Sequence, residues 1–594
     1  MEKNLQNGHL VFCSESDSDD DIRPKSYNTK NKSTVISETD SETEDNSETW
    51  STDDCDLESI PLADRMTAMQ QDSKPSTKVG KPTIHWKPGH LIRGDDETKF
   101  AGNTALPQEV LELDTPVEYF QYFFTKDIVQ YIVEQSNLYS IQCRPNKCVN
   151  VSAGEIEQFI GTALFMSVIQ LPATRHYWCK YLGHPAVGDI ISCNRWEEIK
   201  CFIHFCDNSN LVPAGEPNHD KLFKIRSLLD QVCERLLQVP KEEFLAVDEQ
   251  IIPTKCRSSL KQYNPSKPHK WGFKAFVLSG VSGFSYDYEI FAQTNIIIPG
   301  AMDLGASSNV VVRLTPTVSR HVNHKLFFDN WFTSVPLEVY LHKEGIQSVG
   351  TVRSNRVRGC ILPKEAAMKK NGRGSMEEKT ATVDGVQLSV VSWFDNKVVN
   401  TLSTYVGCKP EGEIKRLFRK GKEYKMVPCP RSVMIYNDYM GCVDLLDSML
   451  GYYRIQIISK KWYLKIFFHL VDLACVNSWL LWRRRNTDYM PLVDFKVAVA
   501  EALCKTGKSL SKKRGRPSNQ LQKQLDCKKK RSPTADLPQH QVRLDGIDHM
   551  PIWLENRGRG KYPECKGKSY IACMKCSVTL CLNKERNCFK FHNE

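Results

Sequence analysis

No stretch of this chain is apolar over the length a bilayer demands, and its first residues, Met1 to Leu10, are polar. Neither a membrane span nor a secretory signal is expected, so the protein should be soluble and intracellular, with no membrane partner. That compartment excludes disulfides as the role of its 22 cysteines. Clustered cysteines then point to metal and scattered ones to packing. Basic and aromatic residues are scarce near the N-terminus, where Cys13 to Asp64 holds 16 acidic residues against 4 basic ones. Such a composition cannot bury enough apolar surface to offset chain entropy, and residues 1–81 are expected to be acidic and disordered. Their SESDSDDD (Ser14 to Asp21) and SETDSETEDNSE (Ser37 to Glu48) runs are read first as a solvating tail and second as sites for acidophilic kinases.

What remains has the opposite sign. The net charge is +10 over 594 residues, and the acidic segment contributes −12, so the rest totals +22. Nucleic acid is the natural partner of so basic a surface. A chain this long exceeds a single core, and three or more units are expected.

Three acidic positions stand out. In FLAVDEQIIPTK (Phe244 to Lys255) an apolar strand-length run stops at Asp248, which places a carboxylate at the end of a strand and the rim of a sheet. A basic, Pro-punctuated loop follows, then a strand through Trp271, Phe273, Ala275 and Val277. KLFFDNWFTS (Lys325 to Ser334) repeats the device at Asp329. In MGCVDLLDSML (Met440 to Leu450), Asp444 and Asp447 are spaced to share one helix face. Each aspartate alone could cap a turn or helix. Together they are the oxygen donors from separate elements that two Mg²⁺ ions need to clamp an in-line phosphoryl displacement.

These blocks, with SSLKQYNPSKPHKWGFKAFVL from Ser258, GTVR (Gly350 to Arg353) and KKWYLKIFFHLVDLACVNSW (Lys460 to Trp479), resemble the piggyBac family of DNA transposases from about Pro107 to the C-terminus. The resemblance implies an RNase H-like catalytic domain with Asp248, Asp329 and Asp444 as its catalytic, Mg²⁺-holding triad and Asp447 as an acidic neighbour. It further implies cut-and-paste transposition into TTAA targets through a DNA hairpin, with transposon ends and target as double-stranded DNA partners of a homodimer. Two alternatives stay open: a domesticated DNA- or chromatin-binding derivative that moves nothing, and a metal-dependent nuclease of the same fold.

The fold class expected is multidomain α/β: an RNase H-like core of mixed sheet and helices, interrupted by a β-rich insertion, flanked by an all-α domain and ended by a zinc-binding cysteine-rich domain. Helical apolar spacing runs through residues 108–242, the first part of the helical domain, which in the family helps to dimerise the protein and grip the transposon end. Its helices are expected near Glu155 to Ile169, Trp196 to Phe205 and from His219. Residues 243–353 form the first part of the core, with a helix near Ser307 to Val318 and another beginning at Ser334 as N-cap. Residues 354–430 are the insertion, whose LSVVSWFDNKVVNTLST alternates around an Asp395-Asn396 turn. There Trp393 reads first as a buried aromatic and second as a platform for a flipped base. Residues 431–456 return to the core and 457–504 to the helical domain. The basic linker, 505–545, carries KKRGRP (Lys512 to Pro517) and KKKR (Lys528 to Arg531), which suit nuclear import, and an Arg-Gly-Arg-Pro core with the form of a minor-groove arm.

The tail, 546–594, offers seven zinc ligands: His549, Cys565, Cys573, Cys576, Cys581, Cys588 and His592. Cys573 and Cys576 form a C-x2-C knuckle, and with Cys581, Cys588 and His592 they can complete at least one tetrahedral site. The family's two-zinc cross-brace needs eight. No cysteine lies between Arg557 and Glu564, and Gly560 or Tyr562 occupies the expected position. One or two Zn²⁺ are therefore expected, the second site taking water as fourth ligand, binding weakly or being lost.

Overall fold

The computed structural model describes residues 84–506 and 543–593, apart from 266, 268, 293–301, 419–421, 545–547, 563–564 and 566. The acidic residues 1–81 and the KKRGRP and KKKR runs lie outside the described residues.

Two short apolar runs, Leu245-Ala246-Val247 and Leu326-Phe327-Phe328, are fully buried and set the middle of a ten-stranded mixed sheet. Strands buried on both faces read as continuous apolar runs, which is why these two pair parallel at the centre. In chain order the sheet takes β1 (Lys87–Pro88), β2 (Phe244–Pro253), β3 (Lys261–Tyr263), β4 (Trp271–Gly280), β5 (Ser285–Ile290), β6 (Lys325–Phe328), β7 (Gln347–Thr351), β8 (Met376–Val383), β9 (Val386–Phe394) and β10 (Val398–Ser403). Across the sheet the order is β1-β8-β9-β10-β7-β6-β2-β4-β3, with β5 also paired to β4. The β2–β6 and β6–β7 pairs are parallel. The β2–β4 pair beside them and the β10–β7 pair are antiparallel.

Several elements differ from those expected. β2 does not stop at Asp248 but continues to Pro253, because Gln250, Ile251 and Ile252 stay buried and pair with β4. The loop before β4 adds a short strand, β3, paired along β4. The β4–β5 turn comes at Ser282-Gly283. There Gly283 has φ +84°, a left-handed conformation that calls for glycine. The helix expected over 307–318 is Ala306–Leu314. It ends early because Thr315 precedes Pro316, which disfavours helical backbone, and because the Thr315 hydroxyl donates back to Val311 O at 2.9 Å. Ser334 does cap the helix Val335–Lys343, its hydroxyl accepting from Leu337 N.

The β-rich insertion extends the sheet through β8, β9 and β10, with β9 and β10 joined at the Asp395-Asn396 turn. A hairpin of β11 (Gly412–Phe418) and β12 (Glu423–Cys429) pairs separately. Trp393 is buried and its indole N–H donates to Pro428 O at 2.8 Å, so it serves the core and not a base stack.

Helices cover the sheet. Pro116–Phe123 and Ala153–Val168 each start with a capping box, Thr115 with Glu118 and Ser152 with Glu155. Helices Lys126–Cys143, Cys193–Phe202 and Phe223–Leu237 complete this part. The last begins later than His219, because Asp220 accepts from Leu222 N and pairs with Arg226, holding the preceding residues in a turn. The helix Trp462–Arg485 corrects the reading that no segment reaches bilayer length, since it passes that test by length and composition. It is a core helix: its apolar residues are buried, with Phe467 against Phe124 and Phe205, and Phe468 against Phe159. The tail contributes β13 (Pro551–Arg559) paired with β14 (Lys568–Cys573).

Glu338, on Val335–Lys343, is fully buried; the Ser348 hydroxyl donates to one carboxylate oxygen and the other has no partner. Burial pushes its carboxyl up from 4.5 to about 8. Between those values the folded chain holds a proton that the unfolded chain has released, so stability is highest below the lower value. It falls as pH rises, by about 1.4 kcal/mol per pH unit. Glu338→Gln should therefore flatten the urea midpoint across that window and leave the variant more stable than the parent near its upper end. Parallel midpoint-versus-pH curves would show that Glu338 does not titrate there.

Candidate functional site

In the parallel β2–β6 pair Val247 lies opposite Phe328, so the chain leaves β6 at Asp329 directly beside Asp248. Adjacent strands lie about 4.8 Å apart, which makes the two aspartates backbone neighbours although 81 residues separate them in sequence. Asp329 also tightens its own turn: its Oδ1 accepts from Trp331 N at 2.8 Å and its carbonyl from Phe332 N and Thr333 N. Arg356 holds that turn from outside, donating to Trp331 O at 2.6 Å and Thr333 O at 3.0 Å, while Arg353 donates to Asn330 Oδ1 at 2.8 Å.

Asp444 and Asp447 come on the helix Cys442–Tyr452, which packs on β2. Gln250 Nε2 donates to Asp447 Oδ1 at 2.7 Å. Because Gln250 is two residues beyond Asp248, both project from one face of β2, and this contact seats the helix over Asp248. Lys267, in the loop between β3 and β4, donates from Nζ to Asp444 Oδ1 at 3.3 Å. An open cleft of about 370 Å³ runs beside these groups, lined by Lys267, His269, Asp444, Asp447 and Arg454.

The electrostatics tie the acids together. Burial pushes the Asp248 carboxyl up to about 7, with Asp329 and Asp444 adding to the rise and Lys267 opposing it. Asp447 is pushed up to about 6 by burial against the pull of Gln250, Lys267 and Arg454. Asp329 is raised by burial, with a further push from Glu249. The Tyr436 hydroxyl, raised chiefly by burial, also feels Asp329, Asp248 and Asp444. Asp444 differs in keeping most of its side chain exposed. Among the described residues, the groups whose ligand atoms lie within 4.8 Å of one another are both in the tail, so the aspartates converge without closing that tightly. Of the residues that complete this site, Lys267 stood in a basic loop and Gln250 at the same-face position of the strand. Arg454 and Tyr436 carried no local signal.

In the tail the seven sequence candidates divide into two groups. His549, Cys573, Cys576 and His592 form one; Cys565, Cys581 and Cys588 form the other. The grouping of Cys581 and Cys588 with the C-x2-C pair is thereby corrected. The antiparallel β13–β14 pairing brings Cys573, at the end of β14, level with the start of β13, two residues after His549. His549 Nδ1 lies 3.2 Å from Cys573 Sγ and 3.6 Å from Cys576 Sγ. His592 is fully buried with neither ring nitrogen hydrogen-bonded, and burial pushes its pKa down to about 4. A buried neutral imidazole with two unpaired nitrogens beside two thiols is a donor set compatible with zinc.

A sequence-family profile described as Transposase IS4 matches residues 115–479. The human piggyBac transposable element-derived protein 3 is 27% identical over 523 residues, covering 86% of this chain and 82% of that protein. Human piggyBac transposable element-derived protein 2 is 28% identical over 425 residues, 70% of this chain and 69% of that protein. In fold, the chain is similar to a piggyBac transposase solved by cryo-EM as a synaptic complex with hairpin DNA. The TM-score is 0.57 at 19% identity, over 82% of this chain and 100% of that one.

The four-ligand group makes its own prediction. In full-length Cys565→Ser protein loaded with zinc, X-ray absorption should find two sulfur neighbours at about 2.3 Å and two nitrogens at about 2.0 Å. A shell of sulfur alone, or one rich in oxygen, would overturn the grouping of His549 and His592 with Cys573 and Cys576.

Proposed function

The chain belongs to the piggyBac family of IS4-type transposases, and from that premise we propose that it binds transposon ends and moves them by cut-and-paste, metal-dependent strand cleavage and transfer into TTAA targets. The observation that carries this reading is the in-register β2–β6 pairing, with the charges of Asp329 and Asp444 both acting at Asp248. The strand sequence β5-β4-β2-β6-β7, with β4 antiparallel and β2, β6 and β7 parallel, supports an RNase H-like core.

Asp248, Asp329 and Asp444 would hold two Mg²⁺ ions, with Asp447 alongside. The donor set fits, being carboxylate oxygens from three elements, of which burial raises Asp248 and Asp329, a desolvation that a cation would relieve. Bound there, the metal would polarise the attacking oxygen and neutralise charge on the phosphoryl group. The protein's own part is positioning. Gln250 fixes Asp447, and Arg353 and Arg356 brace the turn behind Asp329. Lys267 supplies a positive charge among the acids, and Lys267 and Arg454 line the cleft where a phosphate backbone would lie. The hairpin intermediate and the TTAA target rest on the family likeness, as does a homodimer. Nuclear localisation rests on the KKRGRP and KKKR runs. The tail would bind zinc through His549, Cys573, Cys576 and His592.

One observation favours a second reading, a host-encoded DNA-binding derivative that moves no DNA: among the described residues the second thiol group has three protein ligands where a closed zinc site has four.

Asp248→Asn, Asp329→Asn and Asp444→Asn each keep side-chain shape while deleting one metal-neutralising charge. Binding of an end-containing duplex should survive in all three. Nicking with Mg²⁺ should fall about a hundred- to a thousandfold, as for loss of one preorganised electrostatic contact worth roughly 3 to 4 kcal/mol. Asp447→Asn should lose less. Wild-type nicking by any of the first three removes that residue from the triad, and a parent protein that binds but never nicks supports the second reading.

A further inference from the structure

Among the described residues, the second group in the tail offers three thiols and no fourth ligand. Cys565 Sγ and Cys581 Sγ lie 3.4 Å apart, and Cys588 completes the set. The backbone facing them is glycine on two sides. Gly560 is buried, its N–H donates to Gly567 O at 2.8 Å, and a Cβ built on it would stand 2.9 Å from Cys565 Sγ. A Cβ on Gly567 would stand 2.9 Å from Cys581 Sγ and 3.1 Å from Arg586 Nη1. The direction in which residue 560 would extend a side chain therefore leads straight into the thiols. Tyr562 instead adds its ring to the apolar cluster around them. Of the two positions open to a fourth ligand in the sequence, the structure selects 560.

We propose that Cys565, Cys581 and Cys588 form a coordinatively open zinc site, whose fourth ligand is water exchangeable for a small thiolate from outside the chain. This rests on reading the tail as a zinc module. Zinc prefers four ligands at tetrahedral angles, closed sites supply all four from protein, and sites that keep one position open exchange ligands there. Three thiolates on Zn²⁺ leave a net charge of −1, and the Arg586 guanidinium beside Gly567 is placed to offset it. Exchange moves no electrons: water leaves, the incoming thiol binds as thiolate, and its proton passes to solvent.

The test uses full-length protein expressed with zinc, counted by native mass spectrometry before and after a moderate-affinity colorimetric chelator. The parent should hold two Zn²⁺ and release one rapidly. Added 2-mercaptoethanol at low millimolar concentration should slow that release. Gly560→Cys should retain both ions, whereas Gly560→Ala, which adds only the Cβ, should still release one. Gly560 has no positive φ, but a Cβ there stands 2.9 Å from Cys565 Sγ and must shift that thiol, an effect the two substitutions share, so that comparing them isolates the added thiol. A parent holding a single resistant Zn²⁺, equal release of both ions, or Gly560→Cys behaving like Gly560→Ala would each overturn the open site while leaving the Cys2His2 site standing. Finding no zinc in any of the proteins would overturn the zinc module itself.

Discussion

Everything at the acidic site depends on the register between β2 and β6. A parallel pair has no local turn to set its alignment, so the buried side chains must do it. Leu245, Ala246 and Val247 face Leu326, Phe327 and Phe328, all without solvent exposure. A slip of one residue would turn those side chains to the opposite faces and part Asp248 from Asp329 at the same stroke. Burial of six apolar residues thus specifies the position of two carboxylates. The neighbouring parallel strand, β7, locks β6 from its other side through the pairs Lys325 with Gln347 to Phe328 with Gly350. Gly350 itself lies against the Thr333 hydroxyl, where a Cβ would come within 2.2 Å, so the turn after Asp329 packs directly on this strand.

A core that delivers acids to one place must also meet the cost of desolvating them. Asp248 and Asp447 answer by holding their protons more tightly than free carboxylates, chiefly because of burial. Lys267 supplies partial compensation from the loop between β3 and β4, and its reach to Asp444 spans 177 residues of sequence. A lysine is well suited to this because its charge sits on a long, mobile stem that can withdraw when a stronger cation arrives. Asp444, exposed at the first turn of its helix, also gains from the helix N-terminus, where the backbone field favours negative charge. The site therefore combines three buried acids, Asp248, Asp329 and Asp447, with one exposed acid, Asp444.

Much of this was legible in sequence wherever a local rule set the outcome. Apolar runs ending at an acid marked Asp329 well, and helix spacing put Asp444 and Asp447 on one face. The Ser334 cap followed from residue chemistry alone. The same rule misplaced Asp248 at a strand end, because β2 runs past the point where β6 stops and its continuation is held by β4, a pairing no local pattern reveals. Arg454 and Tyr436 act across the fold and their residue types said nothing of their place, whereas Lys267 and Gln250 were marked only by a basic loop and a same-face strand position. The apolar helix Trp462–Arg485 shows the limit of composition most plainly, since being surrounded by protein on every side produces the same sequence as being surrounded by lipid.

The cysteine-rich tail obeys a different economy from the rest of the chain. Its apolar cluster is small, and the cysteines Cys573, Cys576, Cys581 and Cys588 are themselves a large share of its buried side chains. A unit with so little apolar surface cannot rely on hydrophobic burial for its stability, and cross-links or metal must contribute what the core does not. The buried, unpaired imidazole of His592 makes the point sharper. In a fold held by burial alone, two unsatisfied ring nitrogens at the centre would be destabilising, whereas in a fold organised by a metal one of them becomes a ligand and the penalty falls away. The four-ligand group can thus organise the tail by itself. The three-thiol group is not needed for that role, so a glycine at 560 takes nothing from the order that the four-ligand group would supply.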